Sequence, residues 1–441
     1  MKFFQTLRNI WKIEDLKQRI ITTVWLIIVY RLGTQIVLPG IDPSQLVALR
    51  EQTRGGVMAL LDMFSGGAFS NASVMALGIM PYISASIVLQ LLAIVVPSIQ
   101  KLQREGESGR RKINQWTRYL TIVILLIQGP VYLINLSHQL VAAGSSLPGG
   151  FWFSFSSTII MAAGSMFTLW LGERITDKGI GNGVSFIILV GILARFPMAV
   201  VNEFVLRFNN PGGIFLFILE LLVLLVVIAG AIMLVQGTRR VPVQYAKRTV
   251  GNRMYGGARQ YIPLKVNAAN VMPIIFAQAI MFIPVTLFPT LTTTSSFWHG
   301  FATGQSFWYN FTFAVLIILF TYFYTAVTIN PGQMADELKR SNGFVPGVKP
   351  GKATKDYLDS VMSKITLPGA IFLAIVAILP AFARLFGVSP EFSSFFGGTS
   401  LIILVGVVLD TLQQVESHLL QHHYDGLLET GRIKGRSGNI Y

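Results

Sequence analysis

The sequence predicts an all-α integral membrane protein of ten transmembrane helices, and three observations carry that prediction. Hydrophobic residues make up 52% of the 441-residue chain and charged residues only 12%, where roughly 25% is usual for a soluble domain. Ten apolar stretches approach the length of about 20 residues that a helix needs to cross a hydrocarbon core roughly 30 Å thick. Lys and Arg are concentrated on alternate connecting segments, the asymmetry that orients helices in a membrane. So thin a charged coat would not keep a globule of this size in solution, which argues against a soluble enzyme.

In order, the spans are Ile20–Leu38, Val74–Val96, Tyr119–Leu136, Phe153–Leu171, Val184–Val201, Ile214–Val235, Val271–Pro289, Phe311–Ile329, Ile365–Ala383 and Thr399–Leu412. The fifth is interrupted by Arg195, and the tenth is short, with a start that can slide back towards Phe395. With the N-terminus inside, 29 of the 35 Lys and Arg lie on inside segments. Arg50, Arg54, Arg195, Arg207 and Arg384 lie outside, and Arg31 sits within the first span. Both termini are then cytoplasmic. Residues 1–19 do not form a secretory signal, because no short apolar core with a cleavage site follows the basic start. Phe3, Phe4, Leu7, Ile10 and Trp11 recur at helical spacing, as in an amphipathic helix on the inner leaflet.

Ten spans divide near Asn209–Gly213 into two five-span halves, 20–208 and 209–415, followed by a tail, 416–441. An odd number of spans per half inverts one half relative to the other. Two inside segments, 236–266 and 330–364, are too long for tight turns. Both mix basic residues with Gly and Pro, which suits projecting hairpins.

Much chemistry is excluded. The chain has no cysteine, so it has no thiolate nucleophile, zinc-thiolate site or disulfide. Eighteen of the 20 acids lie outside the spans or at their ends, the exceptions being Glu220 and Asp410. Ion-coupled transport calls for carboxylates within spans; Glu220 is close enough to the outer end of its span to reach the interface. GVKPGKAT (Gly347–Thr354) lacks phosphate-loop spacing, and GIGNG (Gly179–Gly183) reads as a tight turn opening a span. His418, His422 and His423 offer an i, i+4 pair with no third ligand. No cofactor, metal site or catalytic constellation is expected, so the chain does not read as an enzyme. A net charge of +15 in so apolar a protein points to anionic lipid or a polyanion such as RNA.

One stretch between the first two spans stands apart. GGVMALLDMFSGGAFSN (Gly55–Asn71) is too short and glycine-rich to cross a membrane and too apolar for a solvated loop. It reads either as a segment folded back into a protein-lined cavity or as an amphipathic turn on the outer surface. Pro81 follows inside the second span and invites a kink there.

MFSGGAFSNASVMALGIMPYISASIVLQLL resembles the most characteristic stretch of the bacterial SecY family, whose members form the centre of the Sec protein-conducting channel. EGESGRRKI (Glu105–Ile113), ITDKGIGNGVS, VQYAKR, PLKVN (Pro263–Asn267), GFVPGVKPGK and FGGTSLIIL continue the family pattern in order, over nearly the whole chain. The resemblance implies two inverted five-helix halves around an hourglass pore. It also implies a plug, a short re-entrant helix over 57–71 that includes Val57, Met63, Phe64, Ser65, Gly66, Gly67 and Asn71. The pore ring falls on Ile79, Ile83, Val184, Ile188, Ile275 and Ile403, with Val184 standing where the family has an isoleucine. Taken alone, each of these is an ordinary core or lipid-facing residue. A lateral gate between the second and third spans and the seventh and eighth would hold Gln90, Gln128 and Gln278, which otherwise read as packing residues.

The same resemblance gives the two basic segments partners. Arg239, Arg240, Lys247, Arg248 and Arg253 correspond to a ribosome-docking loop whose cations meet RNA phosphates. Lys339, Arg340 and Lys349 correspond to a loop shared with the SecA ATPase. Without the resemblance, such cations serve only inner-leaflet retention. Lys349 stands where the family usually has Arg, which keeps the charge and loses the planar fork. SecE-like and SecG-like membrane subunits, signal sequences and unfolded polypeptides complete the expected partners. The expected function is passive conduction of secretory chains across the bacterial plasma membrane, with lateral release of apolar segments. A secondary transporter of small solutes is the alternative, and a membrane enzyme acting on lipid-linked substrates is a third possibility.

Overall fold

The computed structural model describes residues 13–43, 46, 62–142, 150–210, 212–245, 248–250, 253–255, 259–287, 300 and 306–429. The aromatic stretch from Phe3 to Trp11 lies outside the described residues. Every expected span has most of its described residues on a helix. In chain order these are α1 (Glu14–Gly33), α2 (Met80–Val95), α4 (Glu107–Ala142), α5 (Phe151–Lys178) and α6 (Gly183–Phe208). They continue with α7 (Gly213–Gln236), α8 (Met272–Leu287), α9 (Phe307–Thr328), α11 (Lys352–Leu385) and α13 (Gly398–Glu429). Short helices α3 (Pro97–Arg104), α10 (Pro331–Arg340) and α12 (Pro390–Ser393) lie between them. Among the described residues, seven helices are long and apolar enough to cross a membrane, and α2 and α8 contain shorter apolar helices.

Their outer surfaces match a lipid solvent. In α7 only 11% of the most apolar window is buried, so most of its leucines and valines face outward, Leu224 and Leu234 being buried. Phe151 and Trp152 at the start of α5, and Phe307 and Trp308 at the start of α9, are exposed. Tryptophans at helix ends suit the membrane interface, with the polar edge of the ring toward water.

Four expectations about helix limits need correction. Pro81 occupies the first turn of α2 rather than its interior; an N–H missing there removes no helical bond, so no kink follows. Residues 74–79, expected within the second span, form turns instead. Arg195 does not interrupt the fifth span, because α6 runs unbroken through it to Phe208. The tenth span starts at Gly398, in the left-handed conformation (φ 68°), and continues to Glu429.

The two basic segments are not independent hairpins. Strands β1 (Thr238–Tyr245) and β4 (Arg259–Lys265) pair antiparallel, and β5 (Gly343–Phe344) adds to the other edge of β1 to give the order β4-β1-β5. Between β1 and β4, β2 (Arg248–Val250) pairs with β3 (Arg253–Tyr255). Val266 N–H donates to the Gly237 carbonyl at 2.9 Å, which makes odd-numbered β1 positions the hydrogen-bonded ones. Pro242 and Pro263, opposite Tyr261 and Arg240, therefore fall in pairs whose N–H groups point away from the partner strand, where proline loses nothing. Val241 and Val243 point inward and meet Leu264, Leu338, Val345, Leu358 and Met362 in one buried core. Segments separated by two spans thus share a single hydrophobic centre.

The chain divides into two compact units. One contains Leu61–Arg195 with the N-terminal helix and the chain from Val407 onward, and the other contains Phe196–Gly406.

Candidate functional site

In the first unit, Asp62–Phe64 are helical and tight turns follow to Ile79; residues 57–61 of the expected short helix lie outside the described residues. Val57 lies outside the described residues. Met63, Phe64, Ser65, Ala68, Ser70 and Asn71 are all buried, which settles the choice against an exposed surface turn. A buried irregular backbone needs partners for its polar groups, and neighbouring helices supply them. Tyr30 Oη donates to the Ser65 carbonyl (3.1 Å), Arg31 to the Gly66 carbonyl (2.8 Å) and Tyr132 Oη to the Phe69 carbonyl (2.8 Å). The chain leaves the segment beside the residues that follow α1, where Leu38 N–H bonds the Ala72 carbonyl and Val74 N–H bonds the Ile36 carbonyl, both at 2.9 Å.

Two glycines at positive φ, Gly66 (66°) and Gly67 (91°), make the reversal. A methyl group on Gly66 would meet Gly191 Cα of α6 at 3.0 Å, so the two backbones touch because neither residue has a side chain. Asp62 is buried, accepts from Ser70 N–H at 2.8 Å, and forms an ion pair with Arg195 of α6.

The expected ring residues occupy helix starts. Ile79 is the N-cap of α2 and is buried, and Ile83 lies one turn on, half-buried. Val184 and buried Ile188 lie on one face of the first turns of α6, four residues apart. The GIGNG turn ahead of them is tied on several sides. Ile180 N–H donates to Thr23 Oγ1 (3.2 Å), Gly181 N–H to Gln414 Oε1 (2.9 Å) and Gly183 N–H to Thr176 Oγ1 (2.8 Å). Asn182 Oδ1 accepts from Val184 N–H at 3.1 Å and caps α6. In the second unit, Ile275 is half-buried on α8 and Ile403 is buried on α13. Each of these expected ring residues is apolar and lies on a helix or, for Ile79, at its N-cap.

Gln90 donates to Ser86 Oγ (3.3 Å) one turn back on α2, and Gln128 is half-buried on α4. Buried Gln278 on α8 hydrogen-bonds Tyr309 on α9. Glu220 is held by Arg207, which donates to it at 2.5 Å and to Glu203 at 3.0 Å. Glu203 in turn accepts from Ser389 N–H at 3.0 Å. Glu220 is therefore part of a paired polar cluster.

Cations on β1 and on the segment around β5 face solvent. Arg239 and Arg240 on β1, Lys339 and Arg340 in the last turn of α10, and Lys349 before α11 are all exposed. Asn330 caps α10 by accepting from Gly332 N–H (3.0 Å), and cations at the opposite end favour the helix dipole. Arg248 and Arg253 belong to β2 and β3, and Lys247 lies outside the described residues. No cluster of three or more His, Asp or Glu able to hold a metal is found among the described residues.

The sequence model of the SecY family matches residues 73–412. The protein translocase subunit SecY of Thermotoga maritima is 40% identical over 441 residues, covering 98% of this chain and all of that protein. The Escherichia coli K12 protein of the same name is 40% identical over 437 residues, covering 96% of each chain. The chain belongs to the SecY family. It is thus a multi-pass membrane protein. Solved structures carry the same fold at low identity. One described as a protein conducting channel superposes with a TM-score of 0.62 at 16% identity, covering 95% of both chains. Sec61 in a canine ribosome-channel complex gives 0.60 at 15%, also over 95% of both. The solute-transporter alternative finds no support among these relatives.

Sequence reasoning reached the SecY-family motifs but missed the partners of the 62–78 segment. The signal was present. Arg31 and Arg195 are cations within apolar stretches and Asp62 is an acid in an apolar segment, and such charges call for partners.

Proposed function

We propose that this chain is the passive protein-conducting channel of the bacterial plasma membrane, with both termini cytoplasmic. It moves unfolded secretory chains outward and releases apolar segments sideways into lipid. The carrying observation is full-length membership of the SecY family at 40% identity, joined to a buried, irregular segment between the first two spans. In this reading 57–71 is the plug, the two halves 20–208 and 209–415 are inverted around the pore, and the six aliphatic residues form its constriction. Such a ring dewets against ions and offers a passing peptide no hydrogen bonds to stall on. Gln90, Gln128 and Gln278 line the lateral gate, where polar contacts of about 1 kcal/mol or less yield to a signal sequence.

The channel itself catalyses no reaction, and the driving force comes from SecA or the ribosome. Exposed cations on β1 and on the segment around β5 support docking to ribosomal RNA phosphates, in keeping with the likeness to a ribosome-bound Sec61. SecE-like and SecG-like subunits complete the assembly. The test is site-specific photo-crosslinking from Ile188 and Ile275 to a stalled, radiolabelled secretory chain. Adducts at both, absent with a signal-less chain, are expected; their absence despite normal insertion overturns the pore assignment.

A further inference from the structure

We infer that Arg195 is a positioning residue of the closed channel, and that its ion pair with Asp62 is a latch holding the 62–71 segment in place. The inference rests on reading that segment as the plug. The anchors from α1 and α4 bind backbone carbonyls of Ser65, Gly66 and Phe69, groups that any side chain at those positions would present. Arg195 instead reaches a side chain of the segment, and that side chain carries the opposite charge.

The geometry gives the pair two unequal members. The Asp62 side chain is 2% exposed and that of Arg195 34%. The carboxylate therefore has almost no water, and it depends on Arg195 and Ser70 N–H for its charge to remain in place. The guanidinium already borders solvent. When the segment leaves, Asp62 regains water and Arg195 loses little, so the pair favours the seated position without making departure irreversible. Gly67 passes directly beside the pair: a methyl group there would be in ordinary contact with the Arg195 guanidinium, at 3.8 Å. The touching backbones at Gly66 and Gly191 hold the two elements at the distance the pair requires.

The asymmetry predicts an unusual mutational pattern. Arg195→Gln leaves a buried carboxylate unpaired and drives the segment out. Asp62→Asn keeps an oxygen for Ser70 N–H and leaves only a partly hydrated guanidinium, so its effect is smaller. The double variant Asp62→Asn/Arg195→Gln leaks less than Arg195→Gln alone, because no uncompensated charge is left.

The experiment measures potassium efflux from proteoliposomes holding the full-length chain with its membrane subunits. Arg195→Gln is expected to raise resting efflux by at least about tenfold, as loss of one partner of a buried pair does, and Asp62→Asn to rescue it. Arg195→Lys is expected to stay near wild type, and with Asp62→Asn it carries the test if Arg195→Gln fails to accumulate. Because the chain has no cysteine, Asn71→Cys gives a second readout, with faster maleimide labelling expected in the Arg195→Gln background. Deletion of residues 62–71 separates the two readings. Efflux from the deletion but not from Arg195→Gln overturns the latch and keeps the plug. Efflux from Arg195→Gln that Asp62→Asn does not rescue reduces Arg195 to packing and overturns the latch. A tight deletion variant overturns the plug and the latch together.

Discussion

Leu358→Ala tests whether the exposed cations work as a patterned surface or as loose charge. Leu358 lies on α11, is fully buried, and packs with Val241, Val243, Leu264, Leu338, Val345 and Met362. Truncating a fully buried leucine costs roughly 2.7–5 kcal/mol, and a small core able to collapse part-way belongs near the lower end, about 3 kcal/mol. At about 1.4 kcal/mol per factor of ten, that raises the open population of the sheet roughly a hundredfold. No charge changes: Arg239, Arg240, Lys339, Arg340 and Lys349 remain. The assay pairs limited proteolysis of residues 236–266 in inverted vesicles with ribosome co-sedimentation at fixed salt. Faster cleavage together with weakened ribosome binding is expected. Faster cleavage with unchanged binding would refute the patterned surface, and unchanged cleavage would refute the claim that this core holds the two segments together.

Arg239→Ala and Arg240→Ala should weaken ribosome binding and flatten its salt dependence by roughly 0.7–0.9 in the log–log slope for each phosphate no longer neutralised, read by titration over a range of salt. Tyr132→Phe removes the donor to the buried Phe69 carbonyl; leaving that group unsatisfied costs roughly 1–3 kcal/mol, seen as increased resting ion efflux with unchanged expression. Arg207→Ala strips the cation from Glu203 and Glu220, whose side chains are 1% and 11% exposed. A loss of roughly 3–5 kcal/mol is expected, measured as a lower thermal midpoint in detergent, and Glu203→Gln/Glu220→Gln in the same background should recover part of it.

The positions of the helices were legible because crossing a hydrocarbon core is a local requirement. About 20 apolar residues in a row announce a span whatever the rest of the chain does, and all ten stretches have most of their described residues on helices. The misreadings came at charges and turns. Arg195 looked like a break because a cation in an apolar run is costly when unpartnered, and its partner lies in another part of the chain. Pro81 looked like a kink because the helix start at Met80 is marked by turns over 65–79 rather than by an obvious cap. The basic segments looked like two hairpins because nothing in either one signals that Gln244 will pair with Phe344.

By itself, then, the sequence determined that this is a multi-pass membrane protein with two long basic connecting segments and a SecY-family motif order. Those properties depend on hydropathy, charge asymmetry and residue identity, all of which are written along the chain. Only the tertiary structure decided which carboxylate each buried arginine meets, Asp62 for Arg195 and Glu203 with Glu220 for Arg207. It alone decided that two distant basic segments share a core. These are pairings between residues remote in sequence. A buried charge must find an opposite one, but packing selects which.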